Sequence, residues 1–117
     1  MICPYCQKEA LWVSNEEVYG NRYGKSYMCY FCKDCDAYVG CHQNTTQPLG
    51  IMANRELRQL RMQCHALFDP FWKEGGMTRK NAYRFLVNKT GVRHISQTTK
   101  EECERVINFF ARIQKNN

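Results

Sequence analysis

The spacing of apolar side chains changes once along the chain, near residue 48, and the change predicts two kinds of structure. Before it, short runs alternate with a period of two, as half-buried strands do. Residues 10–13 and 17–19 are expected to be extended, with Ser14-Asn15-Glu16 between them as a bulge or short turn. Gly20-Asn21 and Gly24-Lys25-Ser26 are turn chemistry ahead of an aromatic strand at 27–31, and a short third strand is expected at 37–40. Residues 42–50, HQNTTQPLG, are polar and end in Pro48 and Gly50, which predicts a connector.

Beyond the connector the period lengthens to three and four, the signature of amphipathic helices. Leu57, Leu60, Cys64 and Leu67 form the first stripe, with Asn54 as N-cap. Asp69-Pro70 is expected to end that helix and cap a short piece at 71–74, which Gly75-Gly76 would stop. Thr78 is expected to cap a helix carrying Ala82, Tyr83, Leu86 and Val87, closed by Gly91. The last helix is expected to start near Thr98, with Thr98 and Glu101 as a capping box and Cys103, Val106, Ile107, Phe110 and Ile113 as its stripe. Three amphipathic helices and one short turn of helix would follow the strands.

Cysteine spacing changes the picture of the first region. Eight cysteines in 117 residues exceed what a small core needs. Cys3-Pro-Tyr-Cys6 and Cys32-Lys-Asp-Cys35 are two CxxC turns, and facing turns of this kind offer four thiolates in the tetrahedral geometry that structural zinc takes. A closed site of four sulfurs leaves no position for water, so its expected work is folding. Cys29 offers a competing pair with Cys32, but strand alternation turns Cys29 to the opposite face. Lys33-Asp34 is turn chemistry, Asp36 tolerates a left-handed backbone, and Gln7 at such a position would cost about 1 kcal/mol relative to glycine. The predicted fold class is therefore small α+β. It comprises an N-terminal four-cysteine zinc ribbon with a short antiparallel sheet (1–48), packed on a helical subdomain of about three amphipathic helices (49–117), with one structural Zn2+.

Charge adds a second feature. The formal net charge is +6, and it is concentrated: residues 1–49 carry 4 basic and 5 acidic side chains, 50–93 carry 9 and 3, and 94–117 carry 4 and 3. Four thiolates and one zinc would lower the total to about +4 and make the ribbon acidic. No apolar run approaches the ~20 residues of a membrane span. No basic segment precedes an apolar stretch, so neither a signal peptide nor a disulfide framework is expected, and the expected compartment is the cytoplasm.

The blocks CPYC, CKDCDAYVGCHQNTTQPLG, ANRELRQLRMQCHALFDPFWK and TRKNAYRFLVNKTGV, in this order through nearly the whole chain, resemble the zinc-finger-containing family of unknown function found in phage and bacterial genomes. The resemblance implies a zinc-binding N-terminal part with a helical tail and brings no established activity. The family's paired cysteines fall at Cys3, Cys6, Cys32 and Cys35. Cys29 looks like an addition of this chain, and Gln7 departs from the glycine common after such turns.

Candidate working residues follow from these features. Arg55, Arg58 and Arg61 cover an arc of about 120° on the first long helix, largely opposite its leucines. Arg79, Lys80 and Arg84 open the next long helix, where cations sit unfavourably against the helix dipole. Phosphate contact is one use for such cations, and simple solvation is the other. Cys41, His42, His65 and Asp69 could form a second, open metal site, although His65 near a helix end and Asp69 before Pro70 have sufficient structural reasons. His94 is expected to be structural. Tyr5, Trp12, Tyr19, Tyr23, Tyr27 and Tyr30 are expected to serve the ribbon's core more than to stack on unpaired bases, and Phe71 and Trp72 are expected to join ribbon to helices. The leading functional expectation is a small, non-catalytic, zinc-binding accessory protein that binds DNA or RNA and is encoded by a phage or mobile element. Two alternatives stand beside it: a module that engages a host or defence protein, and a metal-dependent nuclease.

Overall fold

The computed structural model describes residues 1–19 and 26–115. The expected turns at 20–25 and the ring of Tyr23 lie outside the described residues. By internal contacts the chain divides into Met1–Glu56 and Leu57–Asn117.

The first unit is a three-stranded antiparallel sheet in the order β1-β2-β3, with β1 at Leu11–Ser14, β2 at Met28–Cys32 and β3 at Ala37–Gly40. Trp12 lies opposite Tyr30, and Tyr30 opposite Val39, so one face carries Trp12, Tyr30, Cys32, Ala37 and Val39. Cys3, Ala10 and Met52 close over the Cys32 end of that face as a small buried cluster. The chain after β3 contributes more than a connector. Cys41 bridges to Pro48, and Tyr38 and Ala53 exchange backbone hydrogen bonds of 3.2 and 3.0 Å, which brings Met52 into the core. The Tyr5 hydroxyl ties the same segment by donating to the Met52 carbonyl at 3.2 Å and accepting from the Asn54 N–H.

Residues 17–19, expected as strand, are helical: α1 spans Asn15–Tyr19. Asn15 decides this. It is buried, its N–H donates to the Tyr27 carbonyl at 2.8 Å, and its Oδ1 accepts from the Tyr27 N–H at 2.9 Å. With the ladder ended by a side chain in place of backbone, the next residues turn into a helix whose first turn holds Glu16 and Glu17, where the dipole favours them.

In the second unit, α2 runs without interruption over Arg55–Glu74 and contains Pro70. The expected break at Asp69-Pro70 does not occur. An interior proline forfeits one helix hydrogen bond and crowds a carbonyl, about 3 kcal/mol, and here aromatic packing on both sides of it outweighs that penalty. Phe68 meets Tyr83 and Phe110 at 4.8 and 6.4 Å between ring centroids, and Phe71 meets Phe85 and Phe110 at 5.2 and 5.4 Å. Phe71 is thus anchored among the helices. Trp72 turns its Nε1–H to Asp69 Oδ1 at 3.4 Å, so Asp69 serves a side chain instead of capping a new helix.

α3 spans Arg79–Thr90 and has the expected ends: Thr78 Oγ1 accepts from the Asn81 N–H, and Gly91 adopts φ 79° and returns its N–H to the Val87 carbonyl. Val87, expected in the core, is exposed, and Thr90 takes the buried place after Ala82 and Leu86. A 3₁₀ turn, Ile95–Gln97, precedes α4 at Lys100–Lys115. The capping box sits one residue later than expected: Thr99 Oγ1 accepts from the Glu102 N–H, and Glu102 Oε1 accepts from the Thr99 N–H at 3.0 Å. Thr98 is buried instead, donating to the Ile95 carbonyl at 2.6 Å beside Cys103 Sγ at 3.1 Å. Cys103, Val106 and Phe110 form the buried stripe of α4, facing Cys64 and Phe68 of α2.

Candidate metal centre

The two CxxC turns share a left-handed residue directly after the second cysteine. In the first, the Gln7 N–H donates to the Cys3 carbonyl at 2.9 Å and Gln7 sits at φ 65°. In the second, the Asp36 N–H donates to the Lys33 carbonyl at 3.3 Å and Asp36 sits at φ 51°. A left-handed residue directly after the second cysteine turns the chain sharply enough for both sulfurs of a pair to face one point. Gln7 carries the strain without glycine, and its Nε2 donates to the Pro4 carbonyl at 3.1 Å across the turn. A short hairpin brings the first turn to the sheet: Ile2 bridges to Glu9, and the Cys3 N–H donates to the Lys8 carbonyl at 2.8 Å.

The sulfurs of Cys3, Cys6, Cys32 and Cys35 all lie within 4.8 Å of one another, and Cys6 Sγ is 3.7 Å from Cys32 Sγ. A tetrahedral zinc with bonds of ~2.3 Å requires sulfurs about 3.8 Å apart, so the gathered donors fit one structural Zn2+. Their protonation chemistry agrees. Burial opposes ionisation of Cys3, but N–H groups of Tyr5 and Cys6 and the neighbouring sulfurs outweigh it, and its pKa is lowered. Cys35 is pushed up to about 12 by burial and by the sulfurs of Cys6, Cys32 and Cys3. Crowded thiols cannot all ionise beside one another; a divalent cation at their centre removes that obstacle. Cys29 takes no part. It lies on the other face of β2, fully buried, where burial and Cys41 raise its thiol to about 11.

The remaining candidates divide. His65 Nδ1 and Asp69 Oδ1 are 3.5 Å apart on one side of α2, and no third metal-binding side chain of the described helical unit joins them. In the ribbon Cys41 is buried, its N–H donating to the Met28 carbonyl, while His42 is exposed at the head of the 41–48 hairpin. His94 is exposed, with its ring centre 5.9 Å from that of Tyr83. Arg61 is committed within the helical unit: its Nε and a terminal nitrogen both donate to the Thr98 carbonyl, at 3.2 and 2.7 Å. Arg58 is half-buried and Arg55 exposed. Arg79, Lys80 and Arg84 are all exposed on α3, with Arg79 also 5.5 Å from the centre of the Tyr83 ring. Lys89, which the sequence reading passed over, is exposed on the same helix above Phe85, so α3 carries four cations and no acidic residue. The signal was present in the segment RKNAYRFLVNK, which has no Asp or Glu. Arg105 was also missed; it donates to the Thr90 carbonyl at 2.8 Å and ties α4 to the end of α3.

Of the ribbon's described rings, Tyr27 and Tyr30 are half-buried, and the Tyr30 hydroxyl donates to the Thr46 carbonyl at 2.9 Å. Tyr5 and Trp12 are exposed, Tyr5 with its hydroxyl engaged as described and Trp12 with about half its surface in solvent. Among the described residues no helix is long and apolar enough to cross a membrane.

A family model described as a zinc-finger-containing domain matches residues 1–113. The chain therefore belongs to that zinc-finger-containing family. No curated protein matches it, and no solved structure does.

Proposed function

Starting from that membership, we propose that this zinc-finger protein is a non-catalytic nucleic-acid-binding accessory protein, encoded by a phage or mobile element as the family resemblance implies and acting in the host cytoplasm. The observation that carries the reading is α3. Arg79, Lys80, Arg84 and Lys89 are exposed on one twelve-residue helix with no acidic neighbour on it. Like charges four apart, as at Lys80 and Arg84, weaken a helix slightly when nothing opposite offsets them. A polyanion supplies the missing partner. The zinc site's part is to hold the ribbon in one shape, since four thiolates leave the metal no open position for a substrate.

The test is a filter-binding series with single- and double-stranded DNA and RNA across salt concentrations. Affinity is expected to fall steeply with salt, and K80A/R84A to flatten the slope by about 2 in log–log units. Affinity that is absent, or flat between low and physiological salt, defeats the proposal. One observation favours a second reading: Ile2, Leu11, Leu49 and Ile51 are exposed on the ribbon, and aliphatic groups left in water suit a protein partner. Recovery of one stoichiometric protein in a pull-down after nuclease treatment supports that reading instead.

A further inference from the structure

The ribbon bears a groove of about 750 Å3 that the zinc site does not use, lined among others by Trp12, Tyr27, His42, Gln43, Asn44 and Gln47. Its size is that of a small-molecule site. Among the described residues lining it there is no Lys, Arg, Asp or Glu. Its wall is made in advance by the 41–48 hairpin, which is held by hydrogen bonds within itself. The His42 N–H donates to the Gln47 carbonyl at 2.9 Å, the Thr45 N–H and hydroxyl both donate to the His42 carbonyl, and the Gln47 N–H donates to Thr45 Oγ1. Asn44 is held at φ 60° at the tip. The side chains of Gln43, Asn44 and Gln47 are exposed and make no hydrogen bond to another described residue, and neither does the Trp12 indole. The groove thus offers a large exposed ring, two further rings, and three amides that can each donate and accept.

We propose that this groove holds one unpaired nucleobase of a single-stranded nucleic acid, stacked on Trp12 and read along its edge by the amides of Gln43, Asn44 and Gln47. The inference rests on the nucleic-acid reading above and adds the form of the ligand. A planar, neutral, hydrogen-bonding heterocycle matches an uncharged lining of rings and amides. The phosphates of the same strand need cations, which the described lining lacks. Stacking on an aromatic side chain tolerates any base, and the amides add preference among bases.

The chain has two tryptophans, Trp12 and Trp72, so a zinc-loaded full-length W72F variant reports on Trp12 alone by its fluorescence. A short single-stranded oligodeoxythymidine is expected to quench that emission at saturation. An abasic strand of equal length is expected to bind more weakly and leave the emission unchanged. W12A is expected to weaken binding of the oligodeoxythymidine about 5- to 150-fold with the salt slope unaltered. Salt-dependent binding of both strands with equal affinity and no quenching overturns the base pocket while leaving the nucleic-acid reading intact. Quenching by the oligodeoxythymidine that does not vary with salt sustains the pocket and removes the role given to α3. Absence of binding to either strand defeats both. Quenching by a neutral oligosaccharide as strong as that by the oligonucleotide also overturns the pocket, since rings and amides recognise sugars as well.

Discussion

The ribbon and the helical unit are held together by different means. In the ribbon the buried cluster is Cys3, Ala10, Cys32, Ala37, Val39 and Met52. Two of these are metal-binding sulfurs and two are alanines, so little apolar surface remains to stabilise a sheet of short strands. In the helical unit Phe68, Leu86, Val92, Ile95, Val106 and Phe110 are buried almost completely, and rings from all three long helices pack against one another. One unit depends on a coordination centre, the other on packing. A mutation can therefore be severe in one and nearly silent in the other.

The sharpest way to break the contrast is to remove the metal. Chelation, or C35S, is expected to forfeit on the order of 10 kcal/mol of binding free energy coupled to folding and to unfold the ribbon, while the helical circular dichroism mostly persists. Equal loss of sheet and helix signals would show that the two units do not fold independently. Second comes F68A, which opens a cavity between Phe110 and Tyr83 and is expected to cost about 3–5 kcal/mol. Denaturant unfolding should show the loss in the helical transition and an unchanged zinc affinity.

P70A is expected to act in the opposite direction, stabilising α2 by about 2 kcal/mol, because the proline stands inside a continuous helix. A loss of stability in thermal melts would mean that the proline shapes the Phe68 and Phe71 contacts in a way alanine does not. The smallest effect is expected of T99A, which removes one half of the capping box and should cost about 1 kcal/mol in the same melts. T98A should cost more, since the Thr98 hydroxyl is buried between the Ile95 carbonyl and Cys103.

The metal centre was the most legible part of the chain because its chemistry is local. Two residues between paired cysteines define a turn, strand alternation removes Cys29, and the left-handed places at Gln7 and Asp36 follow from those turns. The ends of α3 were legible for the same reason: Thr78 and Gly91 act on backbone within one turn of themselves. The errors occurred where a distant partner decided. Asn15 reads as loop chemistry until Tyr27 is seen across the sheet. Arg61 reads as one more solvated arginine until the Thr98 carbonyl is placed beside it. Thr98 and Thr99 are equivalent as caps in sequence, and burial against Cys103 alone assigns the cap to Thr99.

From its residues alone this chain declares a four-sulfur zinc site, a short sheet around it, and three helices with their apolar faces. Tertiary structure decided that α2 passes through Pro70, that residues 42–47 wall a groove instead of merely connecting two regions, and that Trp12 stays outside the core. The division has one physical reason. Turns, caps and metal-ligand pairs are fixed by atoms a few residues apart, whereas the balance between a proline's penalty and aromatic packing, or between a buried and an exposed ring, depends on groups that only the folded chain brings together.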